Sequence, residues 1–166
     1  KDINNRVFIY FGAVNYTAEV YLNGQKLGVH TGGFTPFNFE VSDIIREKDN
    51  YLVVKVDNTR AKEAVPTINT DWWNYGGITR HVKVLETPAN FIRDYKIQLS
   101  PENDQQIDVM LELDGNIVPD RITLTIPELG VTVRKRKANE SILNFSVEVD
   151  DLEKWSPGNP KLYTIQ

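Results

Sequence analysis

The 166 residues predict an all-β chain of two successive sandwiches. Three observations carry that prediction. Apolar residues recur at alternate positions, the period of a strand, and no long stretch keeps the period of an amphipathic helix. Clusters of glycine, proline, asparagine and aspartate interrupt the apolar runs at short intervals. Thr87-Pro88-Ala89 reads as a linker, so one set of strands falls in residues 1–87 and a second in residues 88–166.

In chain order, Val7-Phe8-Ile9-Tyr10-Phe11 is a nearly continuous apolar run, the pattern of a strand buried on both faces. Residues 17–22 alternate, with Ala18, Val20 and Leu22 on one face. Asn23-Gly24 follows at once. That pair marks a hairpin, because both central residues of the tight turn take positive φ, and residues 25–29 are the return strand. Residues 34–39 carry alternating aromatics, and Pro36 makes the segment an edge or a bend. Residues 41–46 fit one helical turn, and residues 51–58 another strand. The stretch from 59 to 77 is long for a loop in a compact domain and so points to function. Residues 78–85 close the first set.

In the second set, residues 95–99, 106–113, 121–126, 131–136 and 142–149 alternate, with turns at Asp114-Gly115 and Leu129-Gly130. Short strands without helices at such spacing predict an immunoglobulin-like sandwich. Trp155 is expected to plug one end of it.

Length fits one large or two small domains. Hydrophobic residues at 40% and charged ones at 25% are ordinary for a globular protein. A net charge of −4 argues against a nucleic-acid surface, which needs a basic patch. The one basic run, Arg134-Lys135-Arg136-Lys137, reads as a solvated strand face and turn. The absence of cysteine excludes disulfides and thiolate-ligated metals, and fits a cytosolic or a bacterial periplasmic or secreted protein without separating them. No apolar run approaches the ~20 residues of a membrane span, and no signal-peptide pattern stands at Lys1. His30 and His81 lie apart without ligand spacing, so neither a metal site nor a Ser-His triad is expected, and no cofactor.

The most informative residues are Asp71-Trp72-Trp73-Asn74-Tyr75-Gly76-Gly77-Ile78-Thr79-Arg80. Aromatics beside an acid and an amide make a surface that can stack on a sugar ring and hydrogen-bond its hydroxyls. Trp72 and Trp73 are adjacent, so on an extended segment they face opposite ways. At most one then meets a sugar while the other anchors the loop; the alternative is that both pack. Asn74 and Tyr75 are expected to fix the loop, and Arg80 to make a salt bridge or clamp a carbonyl. Asp71 is open to two readings, a turn cap or a carboxylate offered to paired hydroxyls.

This segment resembles the end of the sugar-binding jelly roll of glycoside hydrolase family 2, the family of β-galactosidases, β-glucuronidases and β-mannosidases. Tyr21-Leu22-Asn23-Gly24-Gln25-Lys26-Leu27-Gly28 is similar to that family's Leu-Asn-Gly-x-x-Val-Gly hairpin. Phe37 with Asp43-Ile44-Ile45, and residues 49–56, resemble its next two segments in the same order. Trp155-Ser156-Pro157-Gly158-Asn159-Pro160-Lys161-Leu162-Tyr163 looks like the pattern near the end of its second domain.

The resemblance implies a galactose-binding-like jelly roll followed by an immunoglobulin-like sandwich, both expected to be truncated, at the N-terminal and C-terminal ends respectively. It implies that Asp71 reaches sugar hydroxyls or an associated cation at the edge of the active site, and Trp72 and Trp73 stand beside it as candidate substrate-binding residues. Hydrolysis with retention needs two carboxylates ~5.5 Å apart. In the family both lie in a separate barrel, so no catalytic residue is assigned in this chain. The parent protein is then a retaining β-glycosidase, β-galactosidase-like by preference. Its expected partners are a carbohydrate substrate, the barrel of the same chain and a further copy in a homo-oligomer, with no nucleic acid and no membrane. The rivals are a stand-alone carbohydrate-binding module and a purely structural sandwich.

Overall fold

The computed structural model describes residues 5–116, 119–136 and 141–166. Two compact units divide the chain, Lys1–Pro88 and Ala89–Gln166. Among the described residues all regular structure is β, apart from one 3-10 turn at Pro127–Leu129.

The first unit holds strands β1 (Arg6–Phe11), β2 (Val14–Asn15), β3 (Thr17–Leu22), β4 (Gln25–Thr31), β5 (Phe37–Glu40), β6 (Leu52–Asp57), β7 (Gly77–Ile78) and β8 (Val82–Thr87). One sheet runs β5-β1-β8, a second runs β4-β3-β6, and β2 pairs with β7 alone. All pairings are antiparallel. Alternation sends Val7, Ile9 and Phe11 from β1 and Ala18, Val20 and Leu22 from β3 into one core, joined by Val14 and Val41. Phe11 stacks on Phe37 with centroids 4.8 Å apart. Burying such a ring contributes about 2–3 kcal/mol through lost apolar surface.

The β3–β4 turn takes the expected form, with φ of 53° at Asn23 and 85° at Gly24. Pro36 lies just before β5, outside the hydrogen-bonded ladder. Residues 41–45 form a single turn in which Val41 O accepts from the amides of Ile44 and Ile45. The expected closing strand at 78–85 is instead two strands. β7 pairs with β2 and β8 with β1, and the chain changes partner between them. β8 is an edge strand, which leaves Val84 65% exposed although its neighbours alternate as in a core strand.

The second unit is built from β9 (Phe91–Leu99), β10 (Gln106–Asp114), β11 (Arg121–Ile126), β12 (Val131–Arg136) and β13 (Ile142–Glu148). Sheets β13-β10-β9 and β11-β12 enclose Ile107, Val109, Leu111, Leu124, Ile126, Val147 and Val149. Trp155 does not plug this sandwich. It opens a reverse turn closed by the Ser156–Asn159 bridge and is 59% exposed. Tyr163 packs against the core instead, with its hydroxyl accepting the Glu153 amide at 2.8 Å. Arg121, Arg134 and Arg136 are exposed on β11 and β12, and Lys137 lies outside the described residues.

Candidate functional site

Between β6 and β7 the chain leaves the sandwich for residues 58–76 and returns. Its first half is pinned by local bonds. Asp57 Oδ1 accepts the Thr59 amide at 2.8 Å, and hydrogen bonds from Thr59 hold the Asp57 carboxyl below its ordinary range. Thr67 Oγ1 donates to Lys62 O at 2.9 Å, and Ala64 is buried. The Arg60 guanidinium donates to Ile68 O at 3.3 Å. Each bond satisfies a backbone group that the sheets cannot reach.

The return half is held by asparagines. Asn15, on β2, donates through Nδ2 to Asn74 Oδ1 at 2.7 Å and to Tyr75 O at 2.6 Å. Asn58 Nδ2 donates to Asn74 O at 3.4 Å. Gly76 lies so close to Asn58 that a Cβ there would stand 2.7 Å from its Cβ. Gly77, at φ 102°, then enters β7 in a conformation that favours glycine.

Between these two anchored halves stand Asp71, Trp72 and Trp73. With Asn58, Arg60, Thr70 and Asn74 they line an open depression of about 540 Å³. Trp72 is 62% and Trp73 77% exposed, so neither anchors the loop in a core. The physical reason is that the asparagine bonds and Ala64 already hold the loop, leaving no packed surface for either ring to fill. Trp73 meets Tyr75 at 6.3 Å in a tilted pair. Thr70 Oγ1 donates to Trp72 O at 3.2 Å. The Asp71 carboxylate enters no hydrogen bond or ion pair among the described residues, so it caps no turn here. The site therefore presents one uncommitted carboxylate, two broad aromatic faces and the Arg60 cation in one concavity. That set can accept bonds from paired hydroxyls and cover the apolar face of a sugar ring.

Residues 1–88 match the model of the glycosyl hydrolases family 2 sugar binding domain, and residues 90–166 match a second glycosyl hydrolases family 2 model. The chain belongs to glycosyl hydrolases family 2.

Among family 2 relatives, one from Formosa agariphila, provisionally named a β-glucuronidase, is 30% identical over 98% of this chain and 21% of its own length. The β-galactosidase of Thermoanaerobacterium thermosulfurigenes is 28% identical over 96% of this chain and 25% of its own. The structure of Bifidobacterium dentium β-glucuronidase complexed with coumarin-3-O-glucuronide superposes with a TM-score of 0.82 and 26% identity, covering 98% of this chain and 33% of that one. The family 2 chain thus spans a fifth to a third of the length of these three proteins.

Other residues singled out by the sequence fall away from the loop tip. Arg80 is exposed and forms no salt bridge or hydrogen bond among the described residues, against expectation. It follows the partner change between β7 and β8, where its side chain finds no acid. His30 stacks on Phe37 at 4.1 Å with Nε2 3.2 Å from Thr35 Oγ1, and His81 stacks on Tyr10 at 6.0 Å. Among the described residues no three acids or histidines converge as metal ligands. Asn15 was not anticipated. Its one signal was a lone amide between Val14 and Tyr16, in a short apolar stretch ahead of a strand.

Proposed function

We propose that this family 2 chain is the non-catalytic N-terminal portion of a retaining β-glycosidase, and that the loop tip at Asp71, Trp72 and Trp73 lines one edge of the substrate pocket. The observation that carries it is the Asp71 carboxylate, left without a partner among the described residues beside two exposed indoles. A structural aspartate of a turn is normally occupied by backbone amides, as Asp57 is by Thr59. The hydrolysis itself belongs to a barrel carrying both glutamates, so the 166 residues alone are inactive and support that barrel. The substrate is a terminal β-galactoside, the activity named for the T. thermosulfurigenes relative. A β-glucuronide is the second reading, because the B. dentium enzyme with the high structural similarity was solved with a glucuronide.

The test is hydrolysis of nitrophenyl β-galactoside, β-glucuronide and β-mannoside by the full-length protein, wild type and Asp71→Ala. Turnover of one sugar, with a raised KM in the variant, supports the reading. A folded full-length protein that binds sugars and hydrolyses none moves the function to a carbohydrate-binding module.

A further inference from the structure

Asn15 is the one buried polar side chain among the described residues, 2% exposed. Burying an amide inside an apolar sandwich costs free energy unless its atoms are bonded. Here both hydrogens of Nδ2 are used, on Asn74 Oδ1 and Tyr75 O, while Oδ1 accepts from no donor among the described residues. The orientation is fixed by Tyr75 O, since a carbonyl oxygen can only accept and so must face the NH2. Behind the amide sits Gly33, where a Cβ would stand 2.6 Å from Asn15 Oδ1. The amide is therefore wedged between the β4–β5 connection and the loop, with no freedom to retreat. On the loop side, Asn74 receives a second bond from Asn58. Asn74 is three residues from Asp71, about 10 Å of extended chain at most.

We propose that Asn15 is the positioning residue of the loop tip, setting through Asn74 and Tyr75 where Asp71 stands. The inference rests on the reading of that tip as the pocket edge. Asn15 touches no substrate. It acts by fixing the base of a loop whose outer residues have few bonds of their own, and a displacement near 1 Å at a substrate contact weakens catalysis by up to about 100-fold.

The experiment uses the full-length protein with Asn15→Asp, which keeps the shape but turns a donor into an acceptor facing Tyr75 O. Two readouts are taken. The first is the rate of tryptic cleavage at Arg60 and Lys62, which reports loop loosening without reference to activity. The second is KM and kcat on the hydrolysed glycoside, in the wild-type and Asp71→Ala backgrounds. The expected result is cleavage accelerated several-fold, and KM raised about tenfold with kcat changed less than about twofold. In the Asp71→Ala background the same substitution adds no further rise in KM. Asn74→Ala, at a half-exposed site, raises KM in the same direction and serves if Asn15→Asp does not fold. Unchanged cleavage, or effects of Asn15→Asp and Asp71→Ala that simply multiply, would overturn the positioning role. Loosened cleavage with an Asp71→Ala enzyme of normal KM would instead overturn the pocket-edge reading.

Discussion

Two asparagine-rich surface regions of the first unit are built alike and end differently. At the β3–β4 turn, Asn23 Oδ1 accepts the Tyr51 amide at 3.0 Å, while its Nδ2 donates to Ile44 O and Asn50 Oδ1. Asn50 in turn bridges both backbone groups of Arg46. Every amide atom of that cluster is engaged in holding backbone. At the base of the 58–76 loop, Asn15 from β2 with Asn58 and Asn74 does the same work, but the tip beyond them keeps a carboxylate with no partner among the described residues and two exposed indoles. The first region is scaffold throughout. The second is scaffold carrying a surface, and the boundary falls between Trp73 and Asn74. Buried polar atoms in a folded domain are nearly always bonded, which marks the amides as scaffold, whereas the exposed carboxylate and indoles of the tip are open to solvent or to a ligand.

The largest expected effect tests the scaffold side. Asn23→Val places a β-branched residue at positive φ and removes three hydrogen bonds, so stability should fall by about 3 kcal/mol. The thermal midpoint of the full-length protein reads this, and KM of the surviving enzyme should not move. The next effect belongs to the tip. Asp71→Ala should lower kcat/KM about 10- to 100-fold, or about 1.4–2.7 kcal/mol, with the midpoint unchanged. If Asp71→Ala instead unfolded the protein and left KM alone, the division between the two regions would be broken.

Much of this was legible in the sequence because it depends on neighbours along the chain. Asn23-Gly24 dictates a tight turn, and alternation from Thr17 to Leu22 dictates which face Ala18, Val20 and Leu22 present. What was not legible depends on partners far away. Thr79 to His81 read as strand, yet the chain leaves β2 for β1 there, a choice of pairing that local propensity does not encode. Trp155 read as a plug at one end of the second sandwich, but a turn at Ser156–Asn159 carries it outward. Asn15 gains its role only when Gly33 and Asn74, 18 and 59 residues on, close around it. The site residues themselves stood out by composition, since an acid between a polar loop and two tryptophans has no place in a sandwich core.

A smaller effect separates the two indoles of the tip. Trp73, the more exposed and set against Tyr75, offers the broader platform. Trp73→Ala should raise KM about three- to fivefold, in keeping with the ~0.5–1.5 kcal/mol of an aromatic contact beyond its buried area. Trp72→Ala should change it less, and stability should move by no more than about 0.5 kcal/mol in either variant. Equal losses of stability in both would mean that the rings are scaffold after all.

The smallest effect sharpens the scaffold side through pH. Glu19 on β3 accepts from Lys55 at 2.9 Å, from Lys26 at 3.0 Å and from the Tyr21 hydroxyl at 2.8 Å. Those bonds, Lys55 first, lower its pKa from 4.5 to about 2. A depressed carboxyl stabilises the fold only while the native state stays ionised and the unfolded state would take up the proton more readily. The contribution is therefore fully present above pH 4.5 and disappears as pH falls toward 2. Wild type and Glu19→Gln should differ in midpoint at neutral pH and converge across that window. Because the cluster is exposed, added salt should narrow the gap at pH 7 as well. Asp71 has no such partners among the described residues, so Asp71→Asn should leave the thermal midpoint at neutral pH where it is, and a fall there would show that its side chain holds the fold.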